Sequence, residues 1–576
     1  SRALMIVFKL LSSKGERNMS YEGAGTRAVR KNKTRRKVVR YAKKAMIVAP
    51  QPEPTEAGAD VLREGGNAVD AGIACALVQG VVDPMMCGIA GFGSCGIYMP
   101  GKKFHGYIDA HAPAPLGARP DMWGNLIESE ARDGYGFILK GRVNDIGYKS
   151  ICAPANLKMY HEAHKEHGSL PWSRIVEPAI AWAEGGWTVR PHVHYWWSDD
   201  GAFGRAPNHE RTGFTPGARA LFCRPDGSPK RVGDRVVNRD YGQVLRAIAR
   251  EGADAFYSGE IGRAIAEDMK KNDALLSAED LKAWKTVRNP PLWGDYRGYR
   301  VSTNQPPGGG VMLLEMLNIL ESFDLGALEH NSTEYVRIVS EAMKRATIDK
   351  DAYVGDPEFV DVPVERLTSK SYAKTLAGEI MRGVKAQVPR FNSGAVSKDT
   401  THISVLDKDG NCFTMTHSLG MPSGVVTPGL GFMYNGCMGV FDPRPDRAGS
   451  IAPGKARFSS VVPSIIFKDG KPHLVIGAPG ATQIAMGVLH VVLNALDFDM
   501  TMVEAVSAPR FSATSDAIDV SNRVQWRVER ELQALGYPVV RSPYTFGFAA
   551  VHAIRVHEDG LDGGADPGHD GVVIAV

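Results

Sequence analysis

Asp399-Thr400-Thr401-His402-Ile403-Ser404-Val405-Leu406 is followed by Asp407-Lys408-Asp409-Gly410-Asn411 and then by Cys412-Phe413-Thr414-Met415-Thr416-His417. Both flanks alternate apolar and polar residues with the period of a strand, and Asp409-Gly410 between them is a hairpin turn. A two-residue turn there sets Ser418 opposite Thr401 and so brings a second hydroxyl within a residue of Thr400 at the open end of the hairpin. Upstream, residues 385–398 are polar and irregular (Gln387, Pro389, Asn392, Ser393, Gly394, Ser397), which predicts a loop, the kind of segment in which chains are cut. A threonine at a new chain start has a chemistry of its own. Its α-amino group, with a pKa near ~8, takes the hydroxyl proton at neutral pH, so one residue supplies both nucleophile and base.

Working outward, Met46-Ile-Val-Ala49 reads as a strand, Thr55 as the cap of a helix that stops at Gly65-Gly66, and Asn67 as the cap of a second helix over 68–82. That second helix is small and apolar on nearly every side, which predicts deep burial. The spacing predicts further helices over 172–183, 243–269 and 311–320, and a strand over 299–302.

The chain has 576 residues, 43% of them hydrophobic and 23% charged, enough for a large folded core. Ten basic and no acidic residues lie between Arg27 and Lys44, and leaving them out turns the formal charge from +4 to −6. The body is therefore mildly acidic, and the basic block reads as a solvated arm. Seven cysteines without a C-x-x-C pair indicate neither a disulfide framework nor a zinc ribbon. The apolar stretch 3–11 is too short to span a membrane and is broken by Lys9, so a cytoplasmic protein is expected, with Met19 as a candidate start.

Several motifs fail on context. Gly91-Phe-Gly93-Ser-Cys-Gly96 spells a dinucleotide fingerprint, but it follows a helix and leads into a strand, the reverse of what phosphate binding needs. Gly449-Ser-Ile-Ala-Pro-Gly454-Lys455-Ala456 imitates a phosphate loop with Ala456 where a magnesium-binding hydroxyl belongs. His192-Val-His194 puts two imidazoles on one side of a strand near Asp199 and Asp200, but beside Tyr195-Trp196-Trp197 it reads as packing. Neither a metal nor a cofactor is expected.

Thr400-Thr-His-Ile-Ser-Val405 with Asp407-Lys-Asp-Gly-Asn411 resembles the processing site of γ-glutamyltransferases. The resemblance extends through Asp60-Val-Leu-Arg-Glu-Gly-Gly-Asn-Ala-Val-Asp70, His167-Gly-Ser-Leu-Pro-Trp172, Ala255-Phe-Tyr-Ser-Gly259, Asp295-Tyr-Arg-Gly-Tyr299, Pro306-Pro-Gly-Gly-Gly310, Gly477-Ala-Pro-Gly480 and Gly564-Ala-Asp-Pro567. It implies an α+β fold, a four-layer αββα sandwich of the N-terminal-nucleophile hydrolases, made as one precursor. Outside the basic arm (1–44), which the resemblance does not cover, the same resemblance divides the chain into a large chain (45–399) and a small chain (400–576) after Thr400 attacks the Asp399 carbonyl. Mature Thr400 then takes an acyl group from a small-molecule amide and passes it to water or an amine. Ser418 matches the hydroxyl that hydrogen-bonds the nucleophile, and the Gly480 and Ala481 backbone N–H groups match the oxyanion hole. The partners implied are the two chains themselves and, in some members, a second copy; nucleic acid and membrane are not expected.

The resemblance breaks at the substrate clamp. His111 stands where the family has an arginine for the glutamyl α-carboxylate, Val440 where it has an acid for the α-amino group, and Gly420 where it has an amide side chain. The lost arginine and acid contacts are each charge-assisted, worth about 1.5–3 kcal/mol. Ser459 and Ser460 persist as carboxylate-binding hydroxyls, with Lys455 and Arg457 placed to compensate, and the shorter stretch 441–459 implies a more open site. The expectation is therefore a divergent amidase or acylase. A true γ-glutamyltransferase and an inactive scaffold with a polyanion-binding arm stay open beside it.

Overall fold

The computed structural model describes Tyr41 and residues 43–201, 205–390, 400–544 and 547–576; most of the basic arm and the loop 391–399 with Asp399 lie outside the described residues. A seven-stranded and a six-stranded sheet hold the centre. In chain order their strands are β1 (Met46–Pro50), β2 (Phe92–Met99), β3 (Phe104–Ala110), β4 (Val287–Asn289), β5 (Leu292–Tyr296), β6 (Tyr299–Thr303), β7 (Thr401–Leu406), β8 (Cys412–Ser418), β9 (Ser464–Lys468), β10 (Lys471–Gly477), β11 (His552–His557), β12 (Gly560–Ala565) and β13 (Gly571–Ala575). The larger sheet runs β13-β1-β7-β8-β2-β3-β4 and the smaller β12-β11-β10-β9-β6-β5, every neighbouring pair antiparallel.

Helices α1 (Pro52–Arg63) and α2 (Ala68–Val82) cover the outer face of the larger sheet, and α4 (Gly310–Leu320) and α5 (Ile484–Leu496) that of the smaller; α3 (Pro191–Trp197) packs against a short helix, Asn208–Gly213. This is the expected four-layer αββα sandwich. Each layer has a reason in its residues. All of α2 is buried, and Gly72 leaves room for the Phe413 ring of β8, where a Cβ would collide. Asn67 closes a capping box on α2 with Asp70.

The β7–β8 hairpin carries the decisive geometry. Its period of two sends Ile403, Val405, Phe413 and Met415 into the core under α2. Leu406 and Cys412 join Met46, Val48, Ile465 and Val475 between the sheets. Ser404 and Thr414 face the same way, bonding the His552 and Ile476 carbonyls across the gap. By this parity Thr400 and Ser418, at the open end, both belong to the inter-sheet side.

Three expectations are corrected. The register pairs Thr401 with His417, not Ser418, because Lys408, Asp409 and Gly410 form a three-residue turn with Gly410 at φ 80°. Asp407 closes it by accepting from the Asp409 and Asn411 N–H groups, and it also takes the Ala68 N–H at the start of α2. The helix assigned to a Thr55 cap begins at Pro52, since prolines tolerate the first turn, and Thr55 donates to the Gln51 carbonyl from inside it. The stretch 243–269 is divided among helices Arg239–Glu251, Asp254–Tyr257 and Glu260–Lys271, broken at Gly252 with φ 68°. Among the described residues no helix is long and apolar enough to cross a membrane.

Candidate active site

Thr400 Oγ1 lies 3.2 Å from Ser418 Oγ, and either hydroxyl can be the donor. The Gly420 N–H donates to the same Ser418 oxygen at 2.8 Å, which fixes the serine rotamer and leaves its proton for another acceptor. Gly420 does this from φ 72°, a left-handed backbone that an amide side chain in its place would strain. Behind the pair, His402 Nδ1 meets Thr416 Oγ1 at 2.8 Å and Nε2 meets Ser404 Oγ at 3.0 Å. Burial pushes the His402 pKa well below the usual histidine range, so it stays neutral, a structural hydrogen-bonding group. His417, on the opposite face, is lowered to about 3 by burial and bridges Tyr160 and Gln79. The nucleophile therefore has no imidazole base beside it among the described residues, which suits a threonine that will carry its own amine.

Arg390, the last described residue before 391–399, is anchored to three remote segments. It bonds the Arg132 and Thr514 carbonyls and pairs with Asp351. This anchor was not apparent in the sequence, because its partners are distant in the chain.

The Gly477-Ala-Pro-Gly480 turn ends β10. Gly480 sits at φ 138°, where a Cβ would strike Ala549 at 2.6 Å, so only glycine fits. Ala481 follows at φ 51°, an uncommon conformation for alanine, and its carbonyl accepts from Ser460 Oγ. Its methyl packs with Ala131, Tyr135, Met421 and Val440. Left-handed backbone costs alanine about 1 kcal/mol, which roughly offsets the methyl's burial at about 0.8 kcal/mol. Ala481→Gly is therefore expected to keep kcat within about twofold and to leave Tm nearly unchanged, since the N–H is retained. A large kcat loss, measured on any turned-over amide, would mean that the methyl itself holds the substrate.

The clamp residues divide. His111 is buried 3.5 Å from Asp109, whose carboxylate also takes bonds from Ser94 and Asn289. No contact joins His111 to Thr400 or Ser418 among the described residues, and both its ring nitrogens lack hydrogen-bond partners. Arg457 is the cation that reaches the nucleophile's neighbourhood. Its guanidinium stacks 4.1 Å over Phe92, the residue paired with Ser418 across β2 and β8. A Cβ on Gly420 would lie 3.7 Å from Arg457 Nη2. Arg457 bonds the Phe458 carbonyl and Cys437, makes no ion pair among the described residues, and its Nε is buried without a partner. Ser459 and Ser460 follow it directly, Ser459 tied through its N–H to the Pro307 carbonyl. Lys455 is buried, which pulls its pKa down against the pull of Asp356.

Thr400 is 4% exposed and Ser418 fully buried. These values describe the uncleaved chain, in which residue 399 is still joined to Thr400. The stretch 441–459 folds back on itself, with Asp442 bridged to Ser450 and paired to Arg444. The decoys resolve as well. Gly93 and Gly96 lie inside β2, where Cβ atoms would crowd Thr416 and Tyr107. His192 and His194 lie on α3 and not on a strand, since Pro191 starts a helix there.

The sequence profile of the family described as Gamma-glutamyltranspeptidase matches residues 54–576. The acylase ACY 1 proenzyme of Pseudomonas sp. (strain V22) is 36% identical over 539 residues, 92% of this chain and 94% of that protein. The glutathione hydrolase proenzyme of Escherichia coli (strain K12) is 33% identical over 558 residues, 91% and 90% of the two chains. Among solved structures, cephalosporin acylase from Bacillus halodurans superposes with a TM-score of 0.81 at 28% identity, over 97% of this chain and 99% of that one.

Proposed function

Because the chain belongs to the gamma-glutamyltranspeptidase family, we propose that it is a self-processing amide hydrolase or acyltransferase, that Thr400 carries the acyl group, and that this group ends in a carboxylate without an α-ammonium. The observation that carries the reaction is the Thr400–Ser418 hydroxyl contact at the inter-sheet end of the hairpin. In processing, Thr400 Oγ1 attacks the Asp399 carbonyl carbon and the peptide C–N bond breaks as the acyl group moves to oxygen. Water then hydrolyses that ester, leaving residue 399 with a carboxylate and Thr400 with a free amine. The proenzyme names of the relatives support this step.

In turnover the new amine takes the Oγ1 proton while the oxygen adds to the substrate carbonyl. We assign the Gly480 and Ala481 N–H groups to the oxyanion, where one such donor is worth about 3 kcal/mol. The proton passes to the departing amine as the C–N bond breaks. Water or an acceptor amine then attacks the ester, and its proton returns to Thr400.

The acyl preference rests on Arg457 and Val440. An unpaired guanidinium beside Gly420, followed by Ser459 and Ser460, suits a carboxylate. Val440 packs among Ala131, Tyr135, Met421 and Ala481 and offers an ammonium nothing. A set of nitroanilides tests this: glutaryl and adipyl substrates are expected to exceed γ-glutamyl by at least about tenfold in kcat/KM, and oxamate, followed by ammonia release, is expected to be slow. Preference for γ-glutamyl would overturn the acyl assignment in favour of the second reading, a glutathione-hydrolase specificity, which Ser459-Ser460 and the Escherichia coli relative favour.

A further inference from the structure

Away from the nucleophile, Asp83, His192 and His569 converge from three separate parts of the chain. Asp83 caps the C-terminal end of α2, His192 is on the first turn of α3, and His569 lies in the short 3-10 turn between β12 and β13. One donor atom from each lies within 4.8 Å of the other two. Asp83 and His569 are 1% and 3% exposed.

The arrangement is not a hydrogen-bonded His–Asp network. His569 Nε2 stands 3.8 Å from Asp83 Oδ2, too far for a hydrogen bond. The buried Nε2 atoms of both His192 and His569 have no partner among the described residues. Two buried, unpartnered ring nitrogens facing a carboxylate are costly unless something satisfies them. Donors around a tetrahedral zinc ion lie about 3.3 Å apart, so closure by about an ångström would form a site.

Surrounding groups are those that orient metal ligands. Gln51 Nε2 donates to Asp83 Oδ2 at 2.7 Å, while Gln51 Oε1 is itself buried without a partner. His192 also makes a hydrogen bond to the Gly568 backbone.

We propose that Asp83, His192 and His569 bind one divalent transition-metal ion, zinc by its donor set, with water or the Gln51 carboxamide oxygen in the fourth position. Two imidazoles and one carboxylate suit zinc, whereas magnesium and calcium prefer all-oxygen sites. Asp83 and His192 precede Thr400 and His569 follows it, so the ion also clips the two chains together. The clip, though not the site, rests on cleavage at 399–400.

The test uses full-length protein purified without a metal-affinity step from zinc-containing medium. Elemental analysis should find about one zinc per chain. His192→Ala and His569→Ala should each lose most of it. Because such variants can lose metal by misfolding, the wild type supplies a second measurement. Stripping with dipicolinate should lower Tm by several degrees, zinc should restore it, and cobalt should give the visible bands of a tetrahedral site. Folded wild type that holds no stoichiometric zinc and whose Tm ignores both chelator and added zinc overturns the site. A denaturing gel reports cleavage separately, so an uncleaved chain with full zinc would remove the clip and keep the ion.

Discussion

Thr400→Ala is expected to run as one full-length chain on a denaturing gel and to lose at least about 10⁴-fold in turnover, whereas the unsubstituted protein is expected to run as two chains parting at Thr400. Loss of both properties follows from one oxygen serving two reactions. No neighbour can replace it. Ser418 Oγ is pinned by the Gly420 N–H, and Ser418 lies mid-chain, so cleavage at Thr400 gives it no amine of its own. Thr401 Oγ1 is buried without a hydrogen-bond partner, and the strand's period of two sends it to the face opposite Thr400. Thr400→Ser, which keeps an oxygen on the same carbon, should still process, more slowly, as the extra rotamers of serine dilute the attacking one. N-terminal sequencing of the smaller band decides. A Thr400→Ala protein that still splits before residue 400 would remove the threonine from the processing step, and one that still turns over amides would remove it from catalysis.

The hairpin was legible in the sequence because a strand's period of two is local and redundant: six alternating residues in β7 say the same thing. The register was not, because it depends on the turn, and whether Asp409-Gly410 alone or Lys408 with them makes the bend depends on Gly410 closing the loop at φ 80°. The same contrast runs through the site. Thr400, Ser418, Gly480 and Ala481 were named from short motifs that resemble the family's, and the structure brings the first two together. Arg457 was placed as a compensating cation, but its stacking on Phe92 and its approach to Gly420 join three segments remote in the chain, and no spacing encodes that. His192 shows how an element error hides a neighbour. Paired with His194 on an assumed strand it looked like packing, while on the helix started by Pro191 it turns toward Asp83 and His569. Contacts within one element could be read; contacts that only the closed sandwich creates could not.

Arg457→Met is expected to cut kcat/KM for glutaryl or adipyl amides by about 10- to 150-fold, the value of about 1.5–3 kcal/mol for a hydrogen bond to a charged group, and to do so chiefly through KM. The methionine keeps an apolar stem against Phe92, so the stacking surface is largely preserved and Tm should fall little. Processing supplies the internal control. The bond cut in processing is intramolecular and needs no carboxylate clamp, so the variant should still yield two chains. A neutral acyl amide of similar length supplies the second control, since its turnover should be unchanged or improved once an unpaired guanidinium no longer has to be covered. Arg457→Lys should recover part of the loss, because an ammonium restores the charge but not the planar fork that meets a carboxylate through two hydrogen bonds. Equal losses on charged and neutral substrates would assign Arg457 to holding the loop at Cys437 and Phe458 and leave the carboxylate to Ser459, Ser460 or Lys455. An effect confined to the charged acyl chains would tie substrate choice to Arg457, which stacks on Phe92 and stands near Gly420.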